Sequence, residues 1–256
     1  MKIIGIDYSK DKKKRGLAIG NVDSQRLELE YAGLYNDERI DRIMKGKEPF
    51  IIAIDAPLGW PLKLGEVLTE HYAGMVIEKD ADKIFRRCTD EEVRKETKKQ
   101  SLDVGADKIA RTAHGALELL EKLRSEYKLE LPLAWEPDDF KQRTEKKILS
   151  SVIEVYPAAT LKQYGLSYEK YKDKKNTDER KKILKGLKTR IGTSNIEEEK
   201  AIGDDNILDA TVCVLAGLDF IEGKCFEPPD REKAEKAKKE GWIWFREEAR
   251  TADNRG

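Results

Sequence analysis

The chain has 256 residues, enough for one large domain or two small ones. Charged residues make up 39%, well above the usual ~25%, yet 50 basic residues balance 50 acidic ones. This balance excludes a globally basic nucleic-acid clamp, although it permits a local basic patch.

Three cysteines without a CxxC pair exclude a disulfide scaffold and a zinc ribbon. With no apolar run long enough to cross a membrane, we expect a cytoplasmic protein without a membrane partner. Its wealth of Lys, Glu and Arg is typical of a thermophile.

The N-terminal part of the chain predicts four strands and one helix. Short apolar or alternating runs predict strands over 2–7, 16–22 and 26–34. The basic run 10–15 forms the hairpin loop between the first two, and a polar helix is expected over 36–46. Residues 50–57 are apolar without alternation, a pattern typical of a central strand buried on both faces.

The rest of the chain is mainly helical in pattern. Residues 58–147 have helical spacing and predict a mostly helical insertion, and 148–156 restore the strand signal. Two Lys-rich helical stretches follow over 158–190. Residues 204–222 predict one long helix that is apolar nearly all round and therefore buried. The end of the chain, 226–256, predicts an exposed helix and a short strand.

This order of elements predicts an α/β fold in a single domain, 1–256. Strands that run as a three-stranded meander, then helix, strand, helical insertion, strand and helix, resemble the ribonuclease H-like arrangement. The fold class we expect is therefore a five-stranded mixed sheet of order 3-2-1-4-5 with a helical insertion. Its parallel strands are joined by right-handed crossovers.

Three acids stand at the ends of three predicted central strands, namely Asp7, Asp55 and Glu154. Ligands of open α/β sheets bind beyond the carboxyl ends of the parallel strands, so these carboxylates are expected to converge there. A single strand-end acid is as often a turn cap, but three at equivalent ends favour a site.

The long C-terminal helix predicts further acids for the same site. Asp205 and Asp209 lie four residues apart and share one helix face. Asp204 is interpreted as the N-cap of the helix, where an acid is favoured. Asp209 lies a full turn inside an apolar helix, where an unpaired charge is costly, so it needs a cation.

Carboxylate oxygens without nitrogen or sulfur ligands favour Mg²⁺ or Mn²⁺ as the cofactor. The two histidines, His71 and His114, lie in no zinc-binding motif, and His114 is interpreted as structural. Acid clusters that hold such ions hydrolyse phosphodiesters, because the metal activates water and stabilises the leaving oxygen.

Six motifs in order carry a resemblance over about the whole chain. They are GIDYS near residue 5, IDAPLGWP near 54, FRRCTDEEVR near 85, EVYPAAT near 154, DDNILDATVCVLAG near 204 and EGWIWF near 240. The sequence resembles the predicted-nuclease family catalogued as domain of unknown function 429, placed in the ribonuclease H-like superfamily. The resemblance implies an acidic cluster of Asp7, Asp55, Glu154 and Asp209 with Asp205 beside it. It also singles out Arg86 and Asp90 as lining the site, although Thr89 interrupts the family's usual spacing.

Basic residues supply the predicted substrate contacts. Arg86 and Arg87 suit bidentate phosphate binding, or they are ordinary partners of the acids at 90–92. Lys12, Lys13 and Lys14 form part of a loop that either flanks a phosphate backbone or is simply solvated.

The function we predict is a metal-dependent phosphodiester hydrolase, a nuclease, with nucleic acid as its partner and DNA or RNA left open. The alternative is a non-catalytic nucleic-acid or ligand-binding module that uses the acids for a structural cation. The sugar kinases and actin-like ATPases share the fold, but they need two copies of it and glycine-rich phosphate loops, which this sequence lacks.

Overall fold

Six β-strands of the computed structural model form one mixed sheet, ordered β3-β2-β1-β4-β5-β6. The structure describes residues 1–23, 26–77, 80–105, 107–137, 150–192 and 198–247. The strands are β1 (Lys2–Asp7), β2 (Gly16–Asp23), β3 (Arg26–Leu34), β4 (Phe50–Asp55), β5 (Ser150–Val155) and β6 (Ile243–Trp244). The first three form an antiparallel meander, and β4, β5 and β6 continue parallel to β1.

The predicted order of the first five strands is confirmed, but the predicted number of five is wrong. The sixth strand, β6, pairs in parallel with β5 through Glu154–Ile243 and Val155–Trp244. The sequence predicts a short strand near the end of the chain but does not assign it to the sheet, because two residues are too few for periodicity to show where they pair. Burial of Trp242 and Trp244 fixes it at the edge of the sheet.

Helices cover both faces of the sheet. They are α1 (Asp37–Met44), α2 (Leu62–Thr69), α3 (Ala81–Phe85), α4 (Cys88–Thr97), α5 (Asp107–Tyr127), α6 (Pro157–Gln163), α7 (Thr177–Leu187), α8 (Glu198–Gly203), α9 (Asp205–Ile221) and α10 (Arg231–Glu240). A short 3₁₀ turn, Lys12–Lys14, lies between β1 and β2. In the part of the chain that the structure describes, no helix has both the length and the apolar character needed to cross a membrane.

Alternation along the central strands sends side chains to two separate apolar cores. On β1, Ile3 packs in the core that contains α9, whereas Ile4 and Ile6 pack in the core that contains α1 and α5. The buried hydrophobic residues therefore form two layers, one on each side of the sheet.

The predicted helical insertion, 58–147, contains α2, α3, α4 and α5 within the described residues, while 138–149 lie outside them. Helix α5 is part of the core and does not merely lie over the sheet. It buries Ala116 and Leu120 completely in the second core, beside the side chains of β1 and β4. Helix α5 thus serves as the crossover layer between the parallel strands β4 and β5.

Candidate metal centre

Two acids meet because two parallel strands end in register. Asp7 is the last residue of β1 and pairs with Asp55, the last residue of β4. Side chains alternate along a strand, so both acids share the face of Ile3 and Ile51, which is the face covered by α9.

Close contact between α9 and β1 brings the third acid to the same place. A Cβ atom on Gly5 would lie 2.1 Å from the carbonyl oxygen of Ala210, and one on Gly16 would lie 1.9 Å from that of Asn206. Only glycine at these positions lets the helix backbone approach the strands so closely. Asp209, beside Ala210, is thereby held against the ends of β1 and β4.

Asp7, Asp55 and Asp209 form the acid triad. Each contributes one carboxylate oxygen to a group in which all such atoms lie within 4.8 Å of one another. Asp209 has no exposed surface, and the other two are half-buried. Three converging carboxylate oxygens are ligands that Mg²⁺ and Mn²⁺ prefer, so the residues present fit such an ion.

Burial and mutual repulsion raise the pKa values of the triad. Burial is the larger cause for Asp7, whose pKa lies well above its usual value, and the charges of Asp209 and Asp55 add to the rise. Burial likewise raises the pKa of Asp55 to about 7. The pKa of Asp209 is also raised by burial, although Lys172 and Tyr171 oppose the shift. Such perturbed groups are typical of functional sites.

Two residues of the segment between α6 and α7 contact the triad. The ammonium Nζ of Lys172 lies 2.6 Å from Asp209 Oδ2, and the hydroxyl of Tyr171 donates a 2.7 Å hydrogen bond to Asp209 Oδ1. Burial lowers the pKa of Lys172, but the charges of Asp209, Asp55 and Asp7 outweigh it and raise that pKa overall. Lys172 therefore remains charged beside the acids.

Arg180 of α7 fixes the backbone of this segment. Its buried guanidinium donates to the carbonyl oxygens of Tyr171, Asp173 (2.9 Å) and Lys174 (3.3 Å), and its Nε donates to that of Ile202. Four carbonyl contacts satisfy a charged group that burial would otherwise penalise. Arg180 consequently holds Tyr171 and Lys172 over the triad.

The triad opens into a cleft of about 590 Å³. Apolar and aromatic side chains contribute to its lining, among them Leu102, Ile109, Tyr156 and Tyr168. Lys99 also lines the cleft, and its Nζ lies 5.7 Å from the ring centre of Tyr168. A cleft of this size with a few converging charged groups is typical of a binding site for a small molecule or a short chain segment.

Glu154 was predicted to join the acids, but the structure does not place it in the triad. In the β4–β5 register Glu154 pairs with Ile54, so its side chain points to the face opposite Asp55. Both of its oxygens accept from Arg87, at 2.7 and 2.9 Å, and the amide of Leu58 donates to Oε2 at 2.9 Å. Burial raises the pKa of Glu154, and Arg87 opposes that shift.

Arg87 lines the same cleft as the triad, but its side chain contacts neighbouring acids, which is the alternative that the sequence left open for it. Its side chain is 1% exposed and bridges Glu154 and Asp90 in what we call the arginine cluster. Ser101 donates a further 2.8 Å hydrogen bond to Asp90. The resemblance implied that Asp90 lines the site, but this acid is buried and serves to hold Arg87. All five donors of a guanidinium suit such a buried role.

The other predicted contacts lie away from the triad or at its margin. Arg86 pairs with Asp82 and, at 3.4 Å, with Asp103. Lys12 pairs with Asp37 beside a separate groove of about 1010 Å³, while Lys13 and Lys14 are exposed.

The two acids at the start of α9 behave differently. Asp204 is the N-cap, as predicted, because its side chain accepts from the amide of Asn206 at 2.9 Å. Asp205 is the first helical residue and does not belong to the triad, although its charge raises the pKa values of Asp7 and Asp209.

Sequence reasoning missed Tyr171, Lys172 and Arg180. They lie in a lysine-rich segment, 158–190, and a lysine-rich run usually forms the solvated face of a helix. The one signal available in the sequence is the helical spacing of Tyr164, Tyr168 and Tyr171, which more often indicates packing than a site. Tyr171 is indeed buried, yet its hydroxyl also donates a hydrogen bond to Asp209.

The fold and site define an α/β protein with a mixed six-stranded sheet and an acid triad at the carboxyl ends of its central parallel strands. The chain belongs to the family described as Protein of unknown function (DUF429), which matches residues 5–234. No curated protein matches the chain.

Proposed function

We propose that this protein is a metal-dependent phosphodiester hydrolase, a nuclease, with a ribonuclease H-like fold. The observation that carries the proposal is the charge of the acid triad. Three carboxylates converge within 4.8 Å, and Lys172 is the one cation that contacts them among the described residues. A folded protein keeps such an incompletely compensated cluster at a cost, which a bound divalent cation relieves.

The sheet supports the ribonuclease H-like part of the proposal. An antiparallel meander, β1 to β3, is followed by strands parallel to β1, and a long helix packs beside β1 at the acid-bearing end. Catalytic groups of open α/β sheets collect at the carboxyl ends of the parallel strands. The triad has this location, with one acid from each of β1, β4 and α9.

Asp7, Asp55 and Asp209 are the residues that would hold Mg²⁺ or Mn²⁺. When bound, such an ion supplies an activated water and stabilises the leaving oxygen. The chain itself contributes orientation, because Tyr171 fixes Asp209 and the cleft walls confine a substrate beside the triad. Hydrolysis adds water across one P–O bond and yields a phosphomonoester and an alcohol.

Nucleic acid is the substrate class we favour. The cleft combines lysines with aromatic side chains, which suit phosphate groups and unstacked bases. Its volume of about 590 Å³ suits a strand end or a few nucleotides better than an intact duplex.

The test combines Mn²⁺ calorimetry with hydrolysis of single-stranded and duplex DNA and RNA oligonucleotides and of bis(p-nitrophenyl) phosphate. We expect Mn²⁺ binding, turnover abolished by chelator, and loss of both in Asp55→Asn. Asp204→Asn is the matched control, because asparagine caps a helix as well as aspartate does, and it should retain both Mn²⁺ binding and turnover. Turnover that survives complete chelation would contradict the proposal. Mn²⁺ binding without turnover of any substrate would favour the alternative, a non-catalytic module with a structural cation.

A further inference from the structure

Lys172 occupies an unusual position for a lysine on an exposed segment. Its side chain is 53% exposed, yet its ammonium lies 2.6 Å from Asp209 Oδ2, an atom with no exposed surface of its own. The same ammonium is close enough to Asp55 and Asp7 to oppose the rise in the pKa of both acids. Lys172 is thus the internal counterion of the acid triad.

A divalent cation held by the triad would compete with this ammonium for Asp209. Two cations at one carboxylate oxygen repel each other strongly in a site that excludes most water. The two arrangements are therefore alternatives: either Lys172 is bound to Asp209, or it has moved away in favour of the metal.

The structure allows the ammonium to move without rearranging the backbone. Arg180 holds the carbonyls of Tyr171 and Asp173, so the main chain on both sides of Lys172 is fixed. The side chain itself is half exposed and has a flexible four-carbon stem. Once displaced, its charge remains at the edge of the cleft that the triad shares.

Formal charges indicate what the displaced lysine would contact. The three carboxylates carry −3 when ionised, and one divalent ion leaves −1, which repels an anionic phosphodiester. The +1 of Lys172 brings the site to neutrality and offers a cation to the incoming phosphate.

We infer that Lys172 has two successive roles, which rest on the proposed function. In the free protein it competes with the metal for Asp209. In the metal-loaded protein it is a catalytic residue that donates a hydrogen bond to a non-bridging phosphate oxygen, and no covalent bond to the lysine forms or breaks.

The test is Lys172→Met, with Lys174→Met as the matched control on the same segment. Calorimetry should show Mn²⁺ binding about tenfold tighter in Lys172→Met, because the competing cation is gone. Turnover at saturating Mn²⁺ should fall about 100-fold, and a labelled phosphorothioate oligonucleotide should bind about tenfold more weakly. Lys172→Arg keeps the charge and should bind Mn²⁺ with nearly the wild-type affinity. Lys174→Met should leave all these values unchanged.

Opposite signs for metal and substrate distinguish this inference from a merely structural role, which would weaken both. Unchanged or weaker Mn²⁺ binding in Lys172→Met, beside normal binding in the wild type, would overturn the inference alone. Tighter Mn²⁺ binding with unchanged oligonucleotide affinity would overturn the phosphate contact. Failure of the wild type itself to bind Mn²⁺ would overturn the proposed function and this inference together.

Discussion

The acid triad and the arginine cluster both lie near the carboxyl ends of the central strands, yet they differ in charge balance. In the arginine cluster, Glu154 and Asp90 share a guanidinium that bonds to both, and further donors complete the network. In the triad, three carboxylates share one half-exposed ammonium. A strand-end acid is therefore not enough to identify a site. The size of the excess of acids over basic partners distinguishes the two groups, because it is larger in the triad than in the arginine cluster.

The largest effect we expect comes from breaking the arginine cluster. Arg87→Met removes the cation from two buried acids, Glu154 and Asp90, and leaves them without their charge partner. Loss of one partner from a buried ion pair costs about 3–5 kcal/mol of unfolding free energy. Urea unfolding of the wild type and the variant at pH 7 measures this loss.

Glu154→Gln serves as the companion variant. It should destabilise the protein less, because the amide oxygen still accepts from Arg87, and it should leave Mn²⁺ affinity unchanged. Reduced Mn²⁺ affinity in Glu154→Gln would show that the two acid groups are not separate and would return Glu154 to the metal site.

The second largest effect concerns the acid triad and the stability that it gains from Mn²⁺. In chelator, Asp209→Asn should melt as high as the wild type or higher, because it removes a like charge and keeps an acceptor for Tyr171. At a Mn²⁺ concentration a hundredfold above Kd, the wild type should gain about 2.7 kcal/mol, whereas Asp209→Asn gains little. Melting curves with and without Mn²⁺ measure both quantities.

Asp204→Asn is the control on the same helix, since asparagine caps a helix as well as aspartate does. It should keep the full gain from Mn²⁺. If Asp209→Asn instead melts well below the wild type in chelator, Asp209 is a structural acid and the comparison with the arginine cluster fails.

The sequence predicted the two strand-end aspartates and Asp209, because each depends on a local pattern. Asp7 and Asp55 follow apolar runs whose ends mark strand ends, and Asp209 interrupts an apolar helix. Glu154 has a similar local pattern, but its side-chain direction depends on the register between β4 and β5. A strand that is buried on both faces shows no alternation, so its sequence does not reveal that register.

The contacts of Lys172 and Arg180 were beyond sequence reasoning for a different reason. Both belong to a run of eleven basic and four acidic residues over 162–190, in which each lysine or arginine looks alike. Only the path of the chain between α6 and α7 selects Lys172 for the triad and Arg180 for the backbone carbonyls. These contacts depend on tertiary structure, and the composition of the segment does not predict them.

Asp219, a buried acid outside both groups, gives a pH-dependent effect. Asp219 accepts from Tyr164 at 2.7 Å and from Arg246 at 2.6 Å, yet burial still raises its pKa from 3.8 to about 6. The folded state therefore holds a proton that the unfolded state has lost between these pH values. The stability that protonated Asp219 contributes to the folded state is fully present below pH 3.8 and is lost as the pH rises through about 6.

Asp219→Asn cannot titrate, so its unfolding free energy should fall less steeply than that of the wild type between pH 4 and pH 6. The difference should be on the order of 2 kcal/mol over this range. Urea unfolding at several pH values measures it, with the exposed Asp178→Asn as the control. Parallel pH profiles for wild type and Asp219→Asn would mean that the contacts with Arg246 and Tyr164 offset the effect of burial on the pKa of this acid completely.

The smallest effect concerns the basic turn between β1 and β2, next to the acid-bearing end of β1. Lys12 is held by Asp37 and lies 5.6 Å from the ring centre of Tyr35. Lys13 and Lys14 are exposed and have no ion-pair partner among the described residues. Replacing both with alanine should reduce the salt dependence of oligonucleotide binding by a log–log slope of about 1–2, because each phosphate contact releases counterions. Mn²⁺ affinity and melting temperature should not change, since neither lysine contacts the triad or a core.

The double variant Lys236→Ala and Lys238→Ala on the exposed helix α10 controls for net charge and should leave the slope of the salt dependence unchanged. Fluorescence anisotropy at several salt concentrations decides the matter: equal slopes for wild type and the Lys13 and Lys14 variant would make this turn a solvated hairpin, and the cations that serve the triad would then be those of the cleft.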